Sequence, residues 1–318
     1  MTVPTVAHDA VRGLEEFLFL IGGSHTPLLY ASGEKSIPPD AIRLFWRNQT
    51  RRRGFLHRRN IPYVHLIAPD KHNVCSEVFP YDIICRPGSH VLACSPDPNL
   101  NATVIYPLDQ LAADFRKHCY RVDTHFTPFG TAMLCQSVVK ALQHHQALIR
   151  LQQLADLPIR SQAGWSGDLG WRFDPPHSEE KQNVPLGPHI ERISNHLAGG
   201  NNGMMDLYTN HTVDPAPPLG RVMLFGDSYG RDMASVLATV AREVLFLRTP
   251  YLHLDLVDTA RPDIVITQGA ERYLPSTLCD SKKPMFLLMP FFKATEYSLS
   301  PEAARAFSAF LTGQPLVA

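Results

Sequence analysis

The stretch RVMLFGDSYG, residues 221–230, constrains the fold more than any other part of the chain, because a continuous apolar run stops at Gly226-Asp227 and gives way to Ser228. A strand without polar alternation is buried on both faces, as happens in parallel sheets covered by helices. Past the serine, Met233, Val236, Leu237 and Val240 recur at i, i+3, i+4 and i+7, the spacing of one apolar helix face. EVLFLRT (243–249) and PDIVITQG (262–269) supply two further short strands with helical material between them. Upstream, residues 38–59 predict a helix packed through Ile42, Phe45 and Trp46, followed by a buried strand, IPYVHLIAP, at 61–69. HCYRVD at 118–123 predicts another strand, leading into a helix that has Thr127 as N-cap and Pro128 at its first position and runs through ALQHHQALIRL. Such alternation specifies an α/β fold with a central parallel sheet and helices on both faces, whose ligands sit beyond the carboxyl ends of the strands.

Two segments dense in Pro, Gly and Asp, 164–189 and 212–220, break both the helical and the strand period. They predict an irregular insert or loop region at about 164–220 within one domain spanning 1–318. A chain of 318 residues, 44% hydrophobic, has ample material for a buried core. Its net charge of zero offers no global field for nucleic acid, and the basic run RNQTRRRGFLHRR at 47–59 is expected to be a solvated helix face. No apolar run approaches the ~20 residues of a membrane span, so no membrane insertion is expected. The early apolar stretch FLFLIGG follows Glu15 and Glu16 instead of a basic segment, which argues against a signal peptide and for a cytoplasmic setting, or a periplasmic or secreted one if the chain is a processed form. Six cysteines form no CxxC pair, and His144 and His145 lack a second ligand pair, so neither a metal nor a bound cofactor is expected.

Chemistry centres on Ser228. A serine at the turn from strand to helix stands above the sheet at a helix N-terminus, where free N–H groups favour a developing oxyanion. Its hydroxyl needs an imidazole as base and a carboxylate to orient that imidazole. Two Asp-x-His triplets qualify, Asp70-Lys71-His72 and Asp123-Thr124-His125, each after a predicted strand, and periodicity does not choose between them.

The blocks EEFLFLIGG (15–23), IAPDKHNVCSE (67–77), DTHFTPFG (123–130), SGDLGWRFDP (166–175), GDSYG (226–230) and PDIVITQGAERYL (262–274) occur in an order that resembles the AlgX/AlgJ-type O-acetyltransferases of alginate and related polysaccharides, a branch of the SGNH hydrolases. The likeness spans most of the chain and implies an SGNH-hydrolase-like three-layer α/β/α sandwich. It implies further that Asp123 orients, His125 is the base and Ser228 attacks, moving an acyl group, acetyl above all, to or from a carbohydrate or polyol hydroxyl through an acyl-serine. Phe126 stands where the family has Trp, and QGAER stands where ordinary SGNH esterases carry Gly-x-Asn-Asp, whose Asn donates to the oxyanion. Ionised Glu271 cannot donate. Oxyanion candidates are therefore the backbone N–H of Ser228 or Tyr229, the backbone at Gly269 and the side chains of Arg231, Gln268 and Arg272, unless Glu271 and Arg272 form a surface or structural ion pair. Lys71 either contacts substrate at the cleft mouth or is an exposed lysine after a strand, and Asp168 either contacts a sugar hydroxyl or makes a turn. Acetyl coenzyme A or a carrier-bound acyl group would serve as donor. An esterase or deacetylase on the same triad and a carbohydrate-binding protein without catalysis are the alternatives.

Overall fold

A computed structural model describes residues 5–153, 160–183, 186–198, 202–293 and 297–313. Seven strands form the main sheet: β1 (Tyr63–Ala68), β2 (Val104–Ile105), β3 (Ile190–Ser194), β4 (Met205–Asn210), β5 (Leu219–Gly226), β6 (Ala241–Arg248) and β7 (Ile264–Ala270). Their order across the sheet is β2-β1-β7-β5-β6-β4-β3. The five strands from β2 to β6 in that order run parallel, while β4 and β3 extend the edge antiparallel.

The apolar runs behave as their lack of alternation requires, with both faces of the central strands buried. On one face Val222, Leu224, Val244 and Ile266 pack with Leu134 and Val138 of α2 (Pro128–Ala141) and with Met233 and Leu237 of α3 (Ser228–Leu237). On the other, Met223, Phe225, Leu245 and Val265 meet Leu56 of α1 (Pro39–His57), Val257 of α4 (Leu254–Ala260) and Phe307 and Phe310 of α5 (Pro301–Thr312). Helices thus cover both faces of a central, mostly parallel sheet, the predicted α/β/α arrangement.

Three expectations change. Residues 118–123 are no strand: a one-turn helix ends at His118, and a single bridge between Cys119 and Phe126 follows. The apolar side chains there, Cys119, Tyr120 and Val122, are buried to anchor a loop. The helix begun at Thr127, whose Oγ1 accepts the Gly130 N–H at 3.2 Å, stops at Ala141. Gln143 turns to φ 56 and a separate helix, His145–Gln153, follows. The 164–220 region is also more regular than its composition suggests, since β3 and β4 lie in it and Arg160–Trp165 pairs with Glu179–Asn183 as a hairpin.

Candidate active site

Gly226 ends β5, and Asp227, in extended conformation, caps α3. Asp227 Oδ1 accepts the Tyr229 N–H at 2.9 Å and Oδ2 accepts the Ala270 N–H at 2.7 Å, while its own N–H donates to Gln268 Oε1 at 3.1 Å. These bonds lock the turn onto the carboxyl end of β7. A Cβ at 226 would lie 2.6 Å from Gln268 Oε1 and would push that side chain off its bond with the Asp227 N–H. Ser228 opens α3 half-buried, at the end of the helix where backbone N–H groups lack intrahelical acceptors.

The Asp123-Thr124-His125 loop faces this elbow. Asp123, 4% exposed, accepts both His125 Nδ1–H and the His125 backbone N–H on Oδ1 at 2.7 Å, and the Asp168 N–H on Oδ2 at 2.7 Å. The ring is thereby held in the tautomer that leaves Nε2 as its free nitrogen. Burial disfavours a charged imidazole, but the hydrogen bond and charge of Asp123 outweigh it and raise the His125 pKa above its ordinary value. Burial likewise opposes ionised Asp123, and its bond to His125 prevails to lower its pKa. Tyr229 joins the two pieces: its hydroxyl donates to the Thr124 carbonyl at 2.7 Å and its ring lies 4.9 Å from that of His125. Among the described residues no hydrogen bond connects Ser228 Oγ with His125.

Asp168 lies in a one-turn helix, Gly167–Gly170, and ties it to the loop. Its Oδ1 accepts the Thr124 N–H at 2.7 Å, its Oδ2 the Thr124 hydroxyl, and its own N–H closes the ring onto Asp123. Asp123, His125 and Asp168 have ligand atoms within 4.8 Å of one another, spacing that suits a metal. Their carboxylate oxygens already accept loop N–H and O–H groups, so the donor set is organised around the imidazole.

Lys71 departs from expectation. It is not at a cleft mouth but 5% exposed, with Nζ donating to the carbonyls of Leu18, Arg121 and Asp123 at 2.8, 2.9 and 2.9 Å. A buried ammonium needs such partners, and this one holds the loop that carries Asp123. Its neighbours are interior too. Asp70 pairs with Arg272 Nη1 at 2.6 Å, and His72 is buried, its pKa lowered first by that burial.

Glu271 and Arg272 do not pair with each other and are not on the surface. Glu271, 0% exposed, accepts from Asp70 N, Gly88 N, Asn73 Nδ2 and Tyr106 OH at 2.8–2.9 Å. Burial first, and then the Asp70 charge, push its pKa up to about 7. Arg272 also donates to Tyr229 OH at 3.2 Å. Arg231 donates to fully buried Asp206 at 2.7 Å. The Tyr229 N–H is taken by Asp227. Gln268 keeps an amide nitrogen without a partner among the described residues, and Gly269 borders open space.

No protein-family model matches the chain, and no curated protein matches it. The O-acetyltransferase domain of Pseudomonas putida AlgJ superposes with a TM-score of 0.52 at 18% identity, covering 91% of this chain and 100% of that one. Bacillus cereus PatB1, solved with a sulfonyl adduct, gives a TM-score of 0.57 at 10% identity, covering 86% and 97%. A DHHW family protein from Eubacterium siraeum gives 0.51 at 12%, covering 93% and 100%. The likeness is one of fold. It matches the AlgX/AlgJ-type resemblance carried by the ordered sequence blocks and spans nearly the whole of each chain. No described helix is long and apolar enough to cross a membrane.

Proposed function

We propose that the chain is a serine-dependent O-acyltransferase, acting with an acetyl-type donor on a carbohydrate or polyol hydroxyl. The observation that carries this is the Asp123–His125 pair, ordered at 2.7 Å and packed on Tyr229, the residue next to Ser228. In the first half-reaction His125 Nε2 takes the Ser228 proton as Oγ bonds to the acyl carbonyl carbon. The tetrahedral oxyanion lies at the α3 N-terminus, where the Ser228 N–H and the helix dipole favour it. Collapse breaks the bond to the donor's leaving group, which receives the proton from His125, and leaves an acyl-serine. In the second half, His125 deprotonates the acceptor hydroxyl, its oxygen attacks the acyl carbon, and the Ser228 bond breaks to release the new ester.

The solved O-acetyltransferase domain of AlgJ, a structural neighbour, supports transfer over hydrolysis. Acetyl coenzyme A or a carrier-bound acyl group is the donor in this proposal. Incubation with an activated acetyl ester, with and without a sugar acceptor, tests it. Acetylated sugar should form and vanish in Ser228→Ala, whereas release of acetate alone would assign an esterase. If both variants, Ser228→Ala and His125→Ala, retain wild-type turnover, the triad is wrong.

A further inference from the structure

At the carboxyl ends of β5, β6 and β7 a cavity of about 330 Å³ opens beside Asp227, Arg248 and Gly269. Small-molecule sites run from about 300 to 1,000 Å³, and open α/β sheets place them at this end of the strands. Its walls are apolar where Phe45, Leu274 and Tyr273 stand, and polar where Gln49 and His65 reach in from α1 and β1. Those two side chains are 1% and 7% exposed.

A relay connects them. Gln49 Oε1 and Tyr63 OH are 2.8 Å apart, Tyr63 OH and Thr267 Oγ1 are 2.8 Å apart, and Thr267 Oγ1 and His65 Nδ1 are 2.7 Å apart. A convergent arrangement would leave one buried hydroxyl proton without an acceptor in the relay, so the links are made without that cost only when every donor points the same way. In one direction His65 Nδ1–H donates to Thr267, Thr267 to Tyr63 and Tyr63 to the Gln49 carbonyl, which leaves the Gln49 NH₂ and a bare His65 Nε2. In the other the Gln49 amide is turned, and a carbonyl oxygen and an Nε2–H are left. Arg52 Nη1 donates to Thr267 Oγ1 at 3.4 Å in both cases. Burial, first, and the nearby Arg52 charge keep His65 neutral. Either way one donor and one acceptor remain, neither with a protein partner among the described residues.

A donor and an acceptor lining one cavity, neither with a formal charge, match hydroxyl groups, each of which both donates and accepts. We infer that this cavity binds one sugar ring or comparable polyol, with hydroxyls on Gln49 and His65 and a carbon face against Phe45 and Tyr273. The inference rests on the proposed acyl transfer and gives its hydroxyl-bearing substrate a subsite next to the serine elbow.

Saturation-transfer NMR with glucose, mannose, N-acetylglucosamine and glycerol tests it on the wild-type chain and on Ser228→Ala, which should bind equally. Gln49→Met and His65→Phe should each weaken the best ligand about tenfold or more. Ser276→Trp, an exposed rim substitution that leaves the interior untouched, should block binding even if the buried variants unfold. Absence of saturable binding by all four probes, or binding unaffected by Ser276→Trp, would overturn the inference, leaving a water-filled void. Hexanol binding as tightly as the best sugar would also overturn it, as an acyl slot. Loss of transfer in Ser228→Ala reports on the catalytic proposal alone, because sugar binding is read without turnover.

Discussion

Two triplets of the same pattern, Asp70-Lys71-His72 and Asp123-Thr124-His125, occupy opposite roles in one structure. The first is interior: Asp70 holds Arg272, Lys71 binds three carbonyls, and His72 is buried with Nε2 unpartnered among the described residues. The second keeps its aspartate buried but its imidazole a quarter exposed, oriented by that aspartate. The first also supports the second, since Lys71 grips the Asp123 carbonyl and Arg272 meets the Tyr229 hydroxyl that bonds Thr124. Whether the histidine of such a triplet is buried or stands oriented beside the elbow thus depends on its surroundings more than on the triplet itself.

The sharpest way to break the comparison is to remove each imidazole in turn. His125→Ala should lower turnover by about 10² to 10⁴ in a chain that still unfolds cooperatively. His72→Ala should spare most of the turnover, and a collapse there alone, measured in the same acyl-transfer assay, would exchange the two roles.

Lys71→Met should come next, losing about 2–4 kcal/mol of stability, because three carbonyls lose their donor. Denaturant titration checks this. Activity should fall along with the fold, and an unchanged midpoint would show that the lysine is not the strut described here.

Titration separates the blocks in a third way. His125 has a raised folded pKa, so the stability from its charged pair with Asp123 is complete below about 6.5 and lost as pH rises through the folded value. Catalysis needs the neutral base and should run oppositely, its acid limb lying above about pH 6.5. Asp123→Asn should move that limb down. Glu271, behind the first block, is raised from 4.5 to about 7, so the folded protein binds its proton more tightly and loses stability as pH climbs between those values. Glu271→Gln should flatten that part of a melting-temperature profile without moving the activity limb.

The smallest expected effect is Tyr229→Phe, about 1–2 kcal/mol, for the loss of the hydroxyl's bonds to the Thr124 carbonyl and from Arg272. A much larger loss, read by denaturant titration, would make Tyr229 more than a tie.

Much of the fold was legible in the sequence. β1, β5, β6 and β7, with helices α1 and α3, declare themselves through local apolar patterns, which burial on both faces of a sheet dictates. HCYRVD misled because loop anchors and strand residues share composition, and the break at Gln143 carries no Pro or Gly to mark it. The hairpin Glu179–Asn183 is largely polar and half-exposed, so it lacks the alternation of a strand against a core. Arg52 sits in a run that looked solvated, yet it is 4% exposed and pairs with Asp280 at 2.7 Å. The partner lies 228 residues away along the chain.

By itself the sequence determined a mostly parallel sheet, a serine at the carboxyl end of a central strand, and two Asp-x-His triplets. These are local properties of apolar runs, glycines and helix starts. The tertiary structure decided which Asp-x-His is ordered against the elbow, that Lys71 and Glu271 are interior, and that Gln49 and His65 look into one cavity. Those facts depend on burial and on contacts between distant segments, to which neither period nor propensity responds.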